Sequence, residues 1–191
     1  MKKQIFKPLT MLFLSGVLFL GACKKDDPQP VNEQEVITKV TVTFTNTADA
    51  ADVVNFIYDD EDGTGGNSPI ITNGTLRKNS TYAIEVQVTG EDNEDITAEI
   101  SEEANEHQIY FGFSQATMFP TFSYEDADDN NKPIGLSSKV TTLNGTGGGN
   151  LQMILVHEPN KSANSTSSPW IYNSNVGGEQ DFNVTFNVKI E

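Results

Sequence analysis

Two histidines occur in the 191-residue chain, and each sits beside a glutamate, as Glu106-His107 and His157-Glu158. Imidazole nitrogens together with carboxylate oxygens are a ligand set for Zn²⁺ or Cu²⁺. His107 keeps step with Ile109, Phe111 and Phe113, and His157 with Leu151, Met153 and Leu155. A strand side chain cannot change face without a bulge, so both rings are expected to point to the core, each at a strand end. His107 and His157 are therefore expected to meet across the core, with a shared metal as one outcome. In the other, each imidazole caps the core and hydrogen-bonds a carbonyl, because burying one without a partner costs on the order of a few kcal/mol. Glu106 and Glu158 are out of phase with the rings and would reach a shared ion only through a local bulge.

Two acidic loops offer the oxygen-rich chemistry that Ca²⁺ uses. In "DADDNNKPIGL", Asp126, Asp128 and Asn130 have the D-x-D-x-N spacing, but Asn131 stands where a calcium loop has Gly and Ser137 where it has a bidentate Glu. Asn accepts a left-handed backbone, so the same residues also suit a plain turn. In "DDEDGTGG", residues 59–66, Thr64 and Ile71 replace the expected oxygen ligands, which favours a solvated connection. Met118, Phe119, Trp170 and Tyr172 fall in loops, where aromatic tips either contact partners or close over the ends of a sandwich. No catalytic constellation is visible. The lone cysteine has no base partner, and there is neither a Gly-x-Ser-x-Gly elbow nor a phosphate-cradling loop with Lys, so the chain reads as a non-enzyme.

The elements that must position these residues are strands. "VITKVTVTF" places Val40, Val42 and Phe44 on one face and Lys39, Thr41 and Thr43 on the other. "TYAIEVQVTG" and "DFNVTFNVKIE" repeat the pattern, the latter with Phe182, Val184, Phe186, Val188 and Ile190 against Asn183, Thr185, Asn187 and Lys189. One buried and one wet face predicts antiparallel sheets. Further strands are expected at 53–58, 69–72, 107–114, 121–125, 137–143 and 151–157, separated by Gly-, Asn- and Asp-rich turns. One short acidic helix is expected in "EDITAEISEEANE", where Ile96 and Ile100 fall four apart. The fold class is all-β, a single antiparallel immunoglobulin-like sandwich of about eight or nine strands over residues 35–191.

The first residues follow another logic. Lys2, Lys3 and Lys7 precede an uncharged run from Leu9 to Leu20. At about 12 residues it is short of the roughly 20 that a spanning helix needs, and it matches a signal-peptide core. "LGAC" then sets small residues before Cys23, the only cysteine. The series resembles a bacterial lipobox, which implies removal of residues 1–22, acylation of Cys23 and an outer-membrane lipid anchor. Residues 23–34, rich in Pro, Gln and charge, are expected to be a tether. Within it, Lys25, Asp26 and Asp27 resemble the export signal of Bacteroidota-type surface lipoproteins, which implies exposure on the cell exterior. Loss of the three signal lysines takes the formal charge from −15 to about −18, which argues against nucleic acid as a partner.

A wider resemblance spans about residues 40–191. The order "DDEDGTGGNSPII", "LRKNSTYAIEVQV", an acidic helix into "EHQIYFGF", "NGTGGGNLQMILVHEPNKS" and "GGEQDFNVTFNVKIE" is similar to short Bacteroidota surface lipoproteins. These often carry the label "type 1 periplasmic binding fold", and many accompany TonB-dependent receptors. The label implies repeated βαβ units, which this chain lacks. The resemblance implies a binding or accessory role in outer-membrane uptake. The alternatives are a structural or adhesive surface lipoprotein and a metal-binding one.

Overall fold

In a computed structural model of the chain, residues 36–63, 66–163 and 171–191 are described, and they belong to the compact unit Gln34–Glu191. They build ten strands in two sheets. The six-stranded sheet has the order β3 (Ile70–Thr72), β2 (Val53–Asp59), β1 (Ile37–Asn46), β5 (Thr81–Gly90), β8 (Ser137–Thr141), β7 (Thr121–Tyr124). The four-stranded sheet has the order β4 (Gly74–Leu76), β10 (Glu179–Ile190), β9 (Gly147–His157), β6 (His107–Phe113). The all-β sandwich expected from the alternation is present, with ten strands where eight or nine were expected.

Alternation sets the register. Val42 of β1 faces Phe56 on β2 and Val86 on β5, so the apolar side of all three strands turns inward together. Phe44 and Phe56 pack with ring centroids 5.0 Å apart, and Phe56 meets Phe186 of the other sheet at 5.7 Å. Phe44, Phe56 and Phe186 are 0% exposed, and burying each side chain contributes about 1.5–3 kcal/mol.

Two elements depart from the antiparallel expectation. The chain leaves β3 at Thr72 and enters β4 at Gly74, with only Asn73 to change sheets, and β4 runs parallel to β10. Gly74 is required there: a Cβ would lie 2.5 Å from Val54 Cγ1 and 2.8 Å from Phe56 Cζ. The other departure is a bulge in β10 between Gln180 and Phe182, which adds a residue and throws Asp181 out of the regular ladder.

The predicted helix is α1 (Ile96–Glu102). Asp95 caps it by accepting from the Ala98 N–H, Ile96 and Ile100 are buried, and Thr97 Oγ1 is tied to both backbone groups of Val88 on β5. Helix α1 thus closes one end of the sandwich and feeds directly into β6, where His107 begins.

Candidate functional site

The β6–β9 ladder sets His107 opposite His157. Their ring centroids are 4.8 Å apart, with planes inclined at 31°. The expected proximity holds, but the direction is corrected: the two rings are neighbours on adjacent strands of one sheet, not partners facing across the sandwich.

The ligand atoms that come together here are those of His157, Glu106 and Glu158, while His107 turns its Nδ1 to the Glu103 carbonyl. His107 is 3% exposed, and its Nδ1 lies 3.3 Å from the Glu103 carbonyl at the end of α1. Burial pulls its pKa below the usual value; the Glu103 carbonyl opposes this, and the His157 charge adds to it. His107 is a hydrogen-bonded core residue.

His157 has different company. Its side chain is 12% exposed, and Nε2 approaches Glu106 Oε2 at 3.7 Å. Glu158 stands at φ 50°, a left-handed conformation uncommon for a residue with a side chain, and its N–H donates to the Glu106 carbonyl at 2.6 Å. As a result Glu106, His157 and Glu158 each bring one ligand atom to within 4.8 Å of the others. The parity objection to these glutamates lapses because neither is in a strand. Glu106 precedes β6, and Glu158 follows β9 on a turned backbone.

More negative charge borders this group. Glu179 is the register partner of His157 on β10, and Asp181 occupies the bulge. Asp181 Oδ2 is buried with no hydrogen-bond partner. Burial pushes the Asp181 carboxyl up to about 6, with His157 acting to lower it and Glu179 to raise it. Sequence alternation missed Asp181, because it reads as one more outward residue until the bulge is known.

The predicted calcium loop is corrected. Asp126 accepts from the Gly135 and Ser137 N–H groups, each at 2.8 Å. Asp128 Oδ1 accepts from the Asn130 and Lys132 N–H groups, while Oδ2 receives Lys161 Nζ at 2.9 Å. Asn130 donates its side-chain amide to Asn105, and Asn131 takes the left-handed turn at φ 57°. A Ca²⁺ ion at Asp126, Asp128 and Asn130 would have to displace an ammonium and four backbone donors. Lys161 is the cation of this loop.

The Lys161 ammonium also donates to the Ala104 and Pro133 carbonyls at 2.6 and 3.1 Å. Lys161 and Asp128 side chains are 5% and 2% exposed. Burial lowers the Lys161 pKa, with Asp128 acting the other way. For Asp128 burial is the largest single influence and acts upward, yet the Lys132 N–H, the Lys161 ammonium and the Asn130 N–H together hold its carboxyl below the ordinary range. In the other acidic loop, Asp62 Oδ2 accepts from the backbone and side chain of Asn67, and Lys39 pairs with Asp59 at 2.6 Å.

The expected contact residues are corrected too. Met118 and Phe119 are 3% and 6% exposed, and Phe119 packs on Phe113 at 4.3 Å. They close over the core and present nothing to a partner. Tyr172 is half-buried and meets Tyr110 edge-on at 5.7 Å. Trp170, Cys23, Lys25, Asp26 and Asp27 lie outside the described residues.

One surface was not anticipated. On the outer face of the four-stranded sheet, Asn183, Thr185 and Asn187 of β10 stand beside Asn150 and Gln152 of β9. Gln152 donates to Asn183 at 2.8 Å. Gly148 and Gly149 leave a hollow of about 550 Å³, bordered by Asn73, Thr75 and Lys189. From Gly148 to Ile154 and from Asn183 to Lys189, the outward positions of β9 and β10 carry no carboxylate, in a chain with 27 acidic residues. The pattern N-x-T-x-N in β10 was the signal, and it reads only as a wet face from sequence.

Compared with models of protein families, with curated proteins and with solved structures, the chain matches none.

Proposed function

We propose that this protein is a lipid-anchored outer-membrane lipoprotein, displayed on the cell exterior, that serves as a binding or accessory component of a TonB-dependent uptake system. The observation that carries this reading is the order of features at the start of the chain. A basic start, a short apolar run, Leu20-Gly21-Ala22-Cys23 and then Lys24-Lys25-Asp26-Asp27 follow one another without interruption. Acyl chains on Cys23, at about 0.8 kcal/mol per buried methylene, would hold the protein at a bilayer. Residues 23–34, the expected tether, would connect the anchor to the sandwich, whose first described strand begins at Ile37. Loops closed by side-chain hydrogen bonds and a tightly buried core of Val, Ile, Leu and Phe suit a rigid presenting scaffold.

Co-purification of the native lipoprotein with an outer-membrane receptor after detergent extraction tests the uptake role. Recovery of the lipoprotein without any such receptor would remove that part of the reading. Fatty-acid labelling of the wild type, lost in Cys23→Ser, tests the anchor separately.

A second reading, adhesion without a small ligand, is favoured by the outer face of the four-stranded sheet. Its amides and hydroxyls form a carboxylate-free surface suited to a neutral polar partner. Substituting Asn150 and Asn187 by aspartate would abolish such contact without touching the anchor.

A further inference from the structure

We propose that Glu106, His157 and Glu158 form a binding site for one divalent transition-metal ion of the Zn²⁺ class, with an open position left for water or an outer ligand. The proposal stands on the sandwich alone and holds whether or not the chain is anchored.

The donor set is the first argument. One imidazole nitrogen and two carboxylate oxygens, with a fourth position open, is a ligand arrangement that Zn²⁺ accepts. Imidazole favours a transition metal over Ca²⁺ or Mg²⁺. The three atoms lie within 4.8 Å of one another. A tetrahedral site with bonds of about 2.0–2.2 Å wants them about 3.3–3.6 Å apart. Glu106 and Glu158 are exposed and can close that gap by side-chain rotation. His157 does not need to move, because the His107 ring, itself anchored at Glu103, backs it at 4.8 Å.

Charge is the second argument. Among the described residues, none of Glu106, Glu158, Glu179 and Asp181 forms an ion pair with Lys or Arg. The nearby Lys161 is committed to Asp128 and two carbonyls. The buried, unpartnered Asp181 Oδ2 lies beside this group. A bound dication supplies the compensation the protein does not. The third argument is backbone: a glutamate is held left-handed at the one position that turns its carboxylate back towards His157, and such conformations gather at functional sites.

The test uses the full chain purified in detergent, stripped with EDTA, and titrated with ZnCl₂ by calorimetry and with Co²⁺ by visible absorption. The expected result is one Zn²⁺ per chain, tetrahedral Co²⁺ bands, and a melting temperature raised by about 5–10 °C at 100 times the dissociation constant. His157→Asn should remove the Zn²⁺ heat and the Co²⁺ bands. Glu158→Gln, an exposed change that leaves the core untouched, should weaken binding at least about ten-fold. Cys23→Ser should leave binding intact. Absence of heat and bands in the wild type overturns the proposal, as does undiminished affinity in Glu158→Gln and His157→Asn. Loss of binding in Cys23→Ser would place the ion at residue 23 instead and overturn it equally.

Discussion

Replacing Lys161 by methionine removes one ammonium and keeps most of the side-chain volume. Three acceptors lose their donor at once: Asp128 Oδ2, the Ala104 carbonyl and the Pro133 carbonyl. The Asp128 side chain, 2% exposed, is left as a buried charge with no counter-ion. Removing one partner of a buried pair costs about 3–5 kcal/mol. At about 2–4 °C per kcal/mol for a domain of this size, the melting temperature should fall by about 10 °C. Asp128→Asn combined with Lys161→Met removes both charges and should recover much of the loss, because the stranded carboxylate is gone. The pH dependence has a definite sign. In the wild type the Asp128 carboxyl is held below the ordinary range, so its stabilisation is present at neutral pH and lost as pH falls through its folded-state pKa. In Lys161→Met burial acts unopposed by the ammonium and raises that pKa, so the penalty shrinks as pH falls. Urea unfolding followed by circular dichroism at pH 7, 5.5 and 4 should show a wide gap that narrows with acid. A cost under about 1 kcal/mol at pH 7, or a double variant no better than the single one, would refute the account of Lys161 as the cation of the loop.

Phe44→Ala, which empties the contact with Phe56 and Tyr82, should cost about 3–5 kcal/mol in urea unfolding. Glu158→Gly relieves a left-handed side-chain-bearing residue and should stabilise the metal-free fold by about 0.5–1 kcal/mol, read as a higher urea midpoint. Asp181 has a folded-state carboxyl raised to about 6, so its ionisation opposes folding as pH rises from about 4 to 6; Asp181→Asn should therefore raise the urea midpoint at pH 7 and change it little at pH 4. Once the protein has been stripped of transition metal, its melting curves with and without millimolar Ca²⁺ should coincide, since Lys161 already occupies the Asp128 loop.

The strands were legible wherever alternation is long. β1, β5 and β10 follow their apolar positions residue by residue, and Ile96 and Ile100 marked the helix. β4 was not legible, because Gly74-Thr75-Leu76 has no period of its own and exists as a strand only through its pairing with β10. Residues 147–149 read as a turn, but their glycines extend β9 alongside β10. At the site, parity placed both histidines in register and brought them together, yet could not say which carboxylates would join them. Glu106 and Glu158 escape parity because they lie just beyond strand ends, and the Asp181 bulge erases it locally. Lys161 carried no signal at all. A lysine in "EPNKSANS" looks like a solvated loop residue, and only the fold brings it under Asp128.

The placement of β10 sets the order in which the molecule can be completed. It is the last strand in chain order, yet it lies inside its sheet, between β4 and β9. Until residues 179–190 arrive, β4 has no neighbour in its sheet, and Phe44, Phe56 and Tyr82 of the larger sheet lack the Phe186 side of the core. A chain that has not yet placed these residues therefore holds a half-sandwich with its sticky face open. The sheet pairings join residues far apart in sequence, which makes closure slow. Removing residues 179–190 would therefore not trim an edge but take out an inner strand and uncover the core on both sides of it.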